Sequence, residues 1–498
     1  MAKVWSVLPL LVSVLVTTLV SAELSDYTAA NRSKQSSPKV GIVGAGVGGA
    51  SSAFLLRRLL GPTAEIFVLS HGPVGGRTQT FTYDDQVWEL GASIVFEENF
   101  YIRRLADEMG LKRVSPGSRL KGSRNKLFSI FNGQDYVFQQ SEWQALTLAQ
   151  LLWRYGITYF RFLTQPTLMF TRFKKIYGIQ AGGNAFERPD DLLKWVDLYD
   201  LTQKTMQQHL VDTLGSSPEV LLFADEMVAS INRVNYNQNN SLNAMAGMVS
   251  MLPTVDSRIF AIEGGNRLLP EALLKNASVV MLSGAAVSQI SKDDSGLFRV
   301  GLATSSQGPP LLDAVLIACP LEQSSLKLSL PKAPDIPARK YQVTNTFYVR
   351  AGNPILTFNP APPGLIMSTG TAETHFSAIS PAKAYKDGTF LYKLFLDGAD
   401  DLATLDGLFE NYTIVGQHNW QAYPHFSPPE SFAPFQLAPG LYYGNALETA
   451  ASAMEIAGIA ACNNVLLAGQ YLSRLGFDLH MKLEQTCQAG TGPTAAEL

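Results

Sequence analysis

Lys39 to Leu60 reads KVGIVGAGVGGASSAFLLRRLL. Val40 to Val43 is a short apolar run, Gly44-Ala45-Gly46-Val47-Gly48-Gly49 comes directly after it, and a helical apolar pattern begins at once. This is G-x-G-x-x-G between a strand and a helix, the setting in which the motif holds a dinucleotide. Gly44 permits the tight turn, Gly46 lets backbone approach a pyrophosphate, and Gly49 lets the helix lie close to the strand. Ala45 and Gly48 complete the loop, and the helix turns unpaired N–H groups and its positive dipole end toward the phosphates. A glycine-rich structural turn is the plain alternative, which the strand–turn–helix setting disfavours.

Residues just downstream of the motif narrow the choice of nucleotide. A second apolar strand, Glu65 to Leu69, is expected to end in an acid that holds the adenosine ribose, but Ser70 and His71 stand there. Gly75-Gly76-Arg77-Thr78 comes next. A strand, a short turn and then Gly-Gly-Arg resembles the FAD-binding half of the amine-oxidase-like flavoproteins. The resemblance implies that Arg77 and the backbone of Gly75 and Gly76 contact the phosphate region of FAD. It also implies that Gly91, Ala92 and Ser93 lie near the isoalloxazine and that the backbone of Val287 meets the adenine. A last strand, Val465 to Gly469, is expected to bring Gly469 near the ribityl chain, with Gln470 where such proteins often carry an acid. An ordinary turn with a solvated arginine is the alternative for residues 75–77.

At 498 residues with 46% apolar side chains, the chain suits two intertwined domains around a large core. A net charge of −3 gives no electrostatic case for nucleic acid. Met1-Ala-Lys3, the apolar run Val4 to Val20 and the small-residue exit Val20-Ser21-Ala22 read as a cleaved secretory signal over 1–22, with a retained anchor as the alternative. Sequons at Asn31, Asn239, Asn276 and Asn411 fit passage through the secretory pathway as candidate glycosylation sites. Of three cysteines, Cys319, Cys462 and Cys487, each is expected to be a buried or idle thiol, although one pair can bridge. No metal-ligand cluster stands out among the six histidines, so no metal is expected.

Patterning divides the chain further. Residues 23–38 are polar and Ser-rich, and 39–100 form the first FAD-binding segment. Residues 101–255 read as a mainly helical substrate or cap region, 256–335 as the FAD-binding domain resumed, 336–435 as a substrate-domain sheet, and 436–498 as the closing FAD-binding segment and tail. The fold class is therefore α/β: a Rossmann-type FAD-binding domain with an intertwined α+β substrate domain. Leu151 to Gly178 is dense in aromatics, leucine and methionine, interleaved with Arg154, Arg161, Arg172, Lys174 and Lys175. Such a stripe is either core or a greasy channel or membrane-facing cap, which leaves peripheral membrane or lipoprotein association open.

Four carboxyl-half segments go beyond a generic flavoprotein: Arg233 to Gln238, Ala261 to Arg267, Trp420 to His425 and Leu441 to Glu455. They closely resemble prenylcysteine oxidase and its farnesylcysteine-cleaving plant relatives, in family order. The resemblance implies FAD as cofactor, S-farnesyl- or S-geranylgeranyl-cysteine and O₂ as substrates, and cysteine, prenyl aldehyde and hydrogen peroxide as products. It also implies a lysosomal or secreted glycoprotein acting in the breakdown of prenylated proteins. No strong general base is required, and no catalytic side chain is assigned. Tyr442 and Tyr443 are expected to flank flavin or substrate. Tyr423, Glu448 and Glu455 lie in the same tract, with the two glutamates on one face of a helix, and His425 reads as structural. Two alternatives stand beside this: a prenylcysteine oxidase-like glycoprotein with weak or no turnover, and another flavin oxidase such as an amine oxidase.

Overall fold

Val40, Ile42 and Val43 with Gly41 form a strand, Lys39–Val43, that is buried from Val40 onward. In the computed structural model, which describes residues 37–115, 127–303, 308–332, 334–355, 364–370, 374–398 and 400–488, this strand lies in a six-stranded sheet. The strand order is Val280–Ser283, Glu65–Ser70, Lys39–Val43, Ala314–Ile317, Leu441–Tyr443 and Gln436–Ala438. All pairings are parallel except the last. Its central strands carry continuous apolar runs, Ile66 to Leu69 and Ala314 to Ile317, as burial on both faces demands. The chain leaves Lys39–Val43 toward Glu65–Ser70 on one side, and Ala314–Ile317 flanks it on the other. This is the point where connections diverge, and a crevice opens there beyond the carboxyl ends of the strands.

Two helices cover one face of the sheet: Val47–Leu60, which continues from the glycine loop, and the long Met454–Arg474 near the carboxyl end. Gly469 lies where they meet. A Cβ there would come within 2.6 Å of Leu59 Cδ2 and 2.8 Å of Leu483 Cδ2. Residues Val465 to Gly469 are thus helix rather than the expected strand, because the segment is buried against another helix rather than paired in the sheet. The strand that closes the sheet on this side is Leu441–Tyr443. A disulfide joins Cys462, within the terminal helix, to Cys487 at a Cα separation of 6.1 Å, so these two are not the idle thiols expected. Cys319 is free.

The second domain is a seven-stranded sheet in the order Tyr412–Pro424, Tyr341–Ala351, Phe390–Leu396, Phe376–Ala384, Leu365–Ser368, Phe128–Phe131 and Tyr136–Gln139. Side chains alternate across it. Phe347, Val349, Leu394 and Leu396 pack together into one core. Tyr348 and its cross-strand partner Lys393 take the opposite face, and Tyr348 there packs against Trp88 and Leu90. The region 101–255 is not all helix, since it also supplies the last two strands of this sheet, Phe128–Phe131 and the edge strand Tyr136–Gln139. The rest of it forms a helical layer that includes Gln144–Tyr155, Thr158–Phe173, Lys175–Ala181 and Ala244–Val255.

Candidate cofactor and substrate cavity

Between the two sheets lies a cavity of about 1160 Å³. That exceeds the roughly 300–1,000 Å³ typical of a site for one small ligand. One wall is the glycine turn. Gly44, Ala45, Gly46, Val47 and Gly48 line it, and Gly46 bridges to Gly75 across the mouth. The backbone is fixed at both loops: Gly75 N–H donates to the Ala45 carbonyl at 2.9 Å and Gly44 N–H to that of Leu69 at 2.8 Å. Gly44, Gly75 and Gly76 hold φ of +110°, +111° and +54°, which side-chain-bearing residues avoid. Gly49 does not line the cavity. A Cβ there would overlap the Gly44 carbonyl oxygen, so its role is to let the helix start against the turn.

This wall fits a pyrophosphate. The Val47–Leu60 helix opens on the cavity with no side-chain cap and no acid in its first turn, leaving its N–H groups and positive end uncompensated. Ser70, Gly76, Gly91, Ala92, Ser93 and Val287 also line the space. Ser70 donates through Oγ to the Gly72 carbonyl at 2.9 Å. Gly91 is pressed on the Arg77 carbonyl, where a Cβ would overlap it, and Ala92 N–H donates to the same oxygen at 3.0 Å.

Three expectations are corrected. Gly469 faces Leu59 and not the cavity, so the strand-end glycine on this side is Gly444, which does line it. Asn445 comes directly after Gly444, so the position assigned to Gln470 also carries a neutral residue. Tyr442 and Tyr443 sit fully buried in the sheet and miss the cavity. Tyr442 donates to the Leu467 carbonyl at 3.2 Å, while Arg339 donates to the Tyr443 hydroxyl at 2.7 Å. Arg77 reaches the cavity, but its guanidinium is paired with buried Glu448 and donates to the Ala422 carbonyl at 2.8 Å. Its charge is neutralised within the protein, and the phosphate cradle is left to the backbone. Burial pushes the Glu448 carboxyl up, but Arg77, Arg339 and hydrogen bonds outweigh it and hold the group down at about 2.

Glu448 and Glu455 do not share a helix face. Glu448 lies in the turn of 3-10 helix Gly444–Thr449, while Glu455 opens the terminal helix. Glu455 accepts from the N–H groups of Tyr101 and Ile102 at 2.8 and 2.9 Å, capping the otherwise uncapped helix Phe100–Glu108. Burial nonetheless pushes its carboxyl up to about 7.

The facing wall is made of side chains. Lys393 and Phe395 enter from the second sheet, His418, Trp420 and Tyr423 from its edge strand, and Met169, Phe170 and Phe173 from the helix Thr158–Phe173. Trp420 lies 5.9 Å from both His418 and Tyr423, centroid to centroid. Lys393 Nζ donates to Ser93 Oγ at 2.5 Å and sits over the Tyr348 and Phe395 rings. Burial lowers the Lys393 ammonium to about 8. Sequence reasoning missed Lys393; the alternation Leu391, Lys393, Phe395 within an apolar strand was its available signal. His425 is exposed and outside the cavity. Asn239, Asn276 and Asn411 are exposed, and Asn31 and the amino-terminal apolar run fall outside the described residues.

Comparison with known proteins decides the family. The family model described as prenylcysteine lyase matches residues 138–475, and one for a NAD(P)-binding Rossmann-like domain matches residues 42–109. Prenylcysteine oxidase 1 of Homo sapiens is 31% identical over 462 residues, covering 86% of this chain and 88% of that protein. The chain belongs to the prenylcysteine lyase family. Another relative, farnesylcysteine lyase of Arabidopsis thaliana, is 28% identical over 85% of this chain and 86% of its own length. Solved structures that share the fold include amine oxidases. Cyclohexylamine oxidase from Brevibacterium oxydans matches with a TM-score of 0.56 at 15% identity, covering 88% of this chain and all of that one. A putrescine oxidase bound to putrescine matches at 0.54 and 15%, covering 86% and 98%.

Proposed function

We propose that this family member is an FAD-dependent oxidase of S-prenyl-cysteine. It takes R–CH₂–S–cysteine, O₂ and water to R–CHO, free cysteine and H₂O₂, in the breakdown of prenylated proteins in the secretory pathway, lysosomal or secreted. The single observation that carries this reading is one cavity that joins a backbone phosphate cradle to an apolar wall. The names of the relatives agree with it, and the Cys462–Cys487 disulfide agrees with an oxidising compartment.

The carbon between sulfur and the prenyl chain is activated from both sides, because sulfur and the double bond share the charge left when hydride departs. When bound, FAD supplies the hydride acceptor and passes the electrons to O₂. The protein has to orient and to enclose. Gly44 to Gly48 and the helix start hold the pyrophosphate, while Ser70, Ala285 and Val287 bound the adenosine end. Met169, Phe170, Phe173 and Leu252 give the prenyl chain an apolar bed from which water is displaced. Lys393 is a positioning residue: its bond to Ser93 fixes the Gly91-Ala92-Ser93 loop against the second sheet. Water adding to the substrate carbon gives a hemithioacetal, which breaks its C–S bond as the thiol takes a proton.

The test is purified full-length protein. Denaturation should release FAD, and farnesylcysteine should give farnesal and peroxide in equal amounts. Peroxide from simple amines but not from farnesylcysteine would overturn the substrate, and protein without flavin would overturn the whole reading.

A further inference from the structure

The helix Thr158–Phe173 buries one apolar side and leaves Phe160 and Leu168 exposed among Arg161, Arg172 and threonines on the other. Phe162, Met169, Phe170 and Phe173 are buried, the last three lining the cavity. Its other side, with the preceding helix Gln144–Tyr155, leaves Trp143 and Trp153 77% and 87% exposed, together with Leu152, Ile157, Phe160 and Leu168. Large apolar side chains exposed on two consecutive helices mark an interaction surface. From Trp143 to Phe186 the chain carries five cationic residues, Arg154, Arg161, Arg172, Lys174 and Lys175, and not one Asp or Glu. Arg154 is engaged with Glu226, and Glu219 packs beside Gly156 at the joint of the two helices. Lys175 lies 3.9 Å from the Asp197 carboxylate and Arg172 donates to the Asp197 carbonyl, so the charge left over gathers toward the Arg161–Lys175 end, where Arg161, Arg172 and Lys175 are exposed.

We propose that this helix pair docks the protein on an anionic lipid surface and that the substrate reaches the cavity from that surface. The second half of this rests on the prenylcysteine reading; the first does not. The two helices, of 12 and 16 residues, are shorter than the ~20 a membrane span needs, so they lie in the interface. Tryptophan is the side chain that favours that depth, with its ring apolar and its N–H wet. Cationic side chains beside it reach the headgroups while their stems stay in the apolar layer. A second copy of the chain is the poorer occupant: a two-fold contact would set Arg161 and its neighbours against their own copies, and Asp197 beside Lys175 offsets only part of that charge. An anionic leaflet complements both the charge and the apolar surface, and a prenyl chain dissolved in it would be one helix thickness from the cavity.

Vesicle flotation with the full-length protein tests the docking. Binding to phosphatidylcholine–phosphatidylserine vesicles should exceed binding to phosphatidylcholine alone by about tenfold and should weaken with salt. The double variant Trp143→Ser/Trp153→Ser should lose about tenfold or more on both, while Arg161→Glu/Lys175→Glu should lose only the preference for the anionic vesicles. Both pairs are exposed, so the thermal midpoint should stay unchanged, which separates lost docking from lost folding. No binding to either vesicle overturns the proposal. So does a wild-type dimer, seen by light scattering, that the tryptophan variant dissociates. The delivery half is read with farnesylcysteine either dissolved or carried in vesicles: the tryptophan variant should be slow only on the second. Equal rates on both overturn delivery. Wild type inactive on dissolved farnesylcysteine would instead overturn the prenylcysteine reading and leave the flotation result standing.

Discussion

On the Rossmann-type side of the cavity the lining is backbone, and each loop is shaped by what its glycines lack. On the facing side the lining is side chain, carried by a sheet, its edge strand and a helix far apart in sequence. The first wall can accept almost no change at Gly44, Gly49, Gly75 or Gly91, because the missing Cβ is the feature that makes the turn. The second can change a residue and keep its shape. One wall is thus suited to hold a constant cofactor, and the other to be adjusted to a substrate.

The sharpest way to break this contrast is one extra methyl group. Gly49→Ala places its Cβ on the Gly44 carbonyl, so the turn or the helix start must move. Full loss of bound flavin is expected, with destabilisation beyond the ~1–3 kcal/mol usual for overpacking. Phe170→Ala, on the opposite wall, should keep its flavin and raise KM for farnesylcysteine. Stoichiometric flavin released from purified Gly49→Ala would show that the cradle tolerates what its geometry forbids.

That asymmetry also explains what could be read in the sequence. Gly44, Gly46, Gly75, Gly76 and Gly91 were legible because a backbone constraint leaves a residue type that nothing else replaces. Tyr442 and Tyr443 misled because aromatic residues serve a core as well as a site, and here they fill the sheet. Val465 to Gly469 misled because an apolar run buried on all sides looks the same as strand or helix. Lys393 stayed hidden because the alternation Leu391, Lys393, Phe395 marks only a face, while what that face meets depends on the register of the Tyr341–Ala351 and Phe390–Leu396 pair.

Between the walls, Arg77 and Glu448 test how the first is fastened to the rest. Glu448→Gln leaves the arginine without its counterion and should cost about 3 kcal/mol at neutral pH, measured by denaturant unfolding. The pH dependence carries a sign. Glu448 is held at about 2 against an ordinary 4.5, so its contribution is complete above pH 4.5 and is lost as pH falls toward 2. Glu455 is raised to about 7, chiefly by burial, so its contribution is complete below pH 4.5 and is lost as pH rises through 7. Stability should peak near pH 4.5, with Glu448→Gln flattening the acid limb and Glu455→Gln the neutral one. A peak at pH 7 or above would contradict these assignments.

Lys393→Met tests the second wall with its flavin still in place. A fall of about 10–100-fold in kcat/KM is expected, the size of a lost positioning contact, with bound flavin unchanged. Because the ammonium is lowered to about 8, wild-type activity should decline above that pH, and the variant should show no such limb. Flavin loss in Lys393→Met would instead make the residue part of the cofactor's own support.

The smallest effect returns to a side chain of the first wall. Ser70 ends the Glu65–Ser70 strand where a dinucleotide fold usually sets an acid for the ribose, and it spends its hydroxyl on the Gly72 carbonyl. A hydrogen bond to a charged acceptor contributes about 1.5–3 kcal/mol and a neutral one about 0.5–1.5. Restoring the acid with Ser70→Glu should therefore tighten FAD by at most about tenfold, read as the FAD concentration needed to reconstitute apoprotein. Much of that gain will be lost if the new carboxylate must desolvate at a position only 7% exposed. An unchanged or weaker affinity would show that the backbone cradle alone sets how tightly FAD is held, which makes the contrast between the two walls stricter.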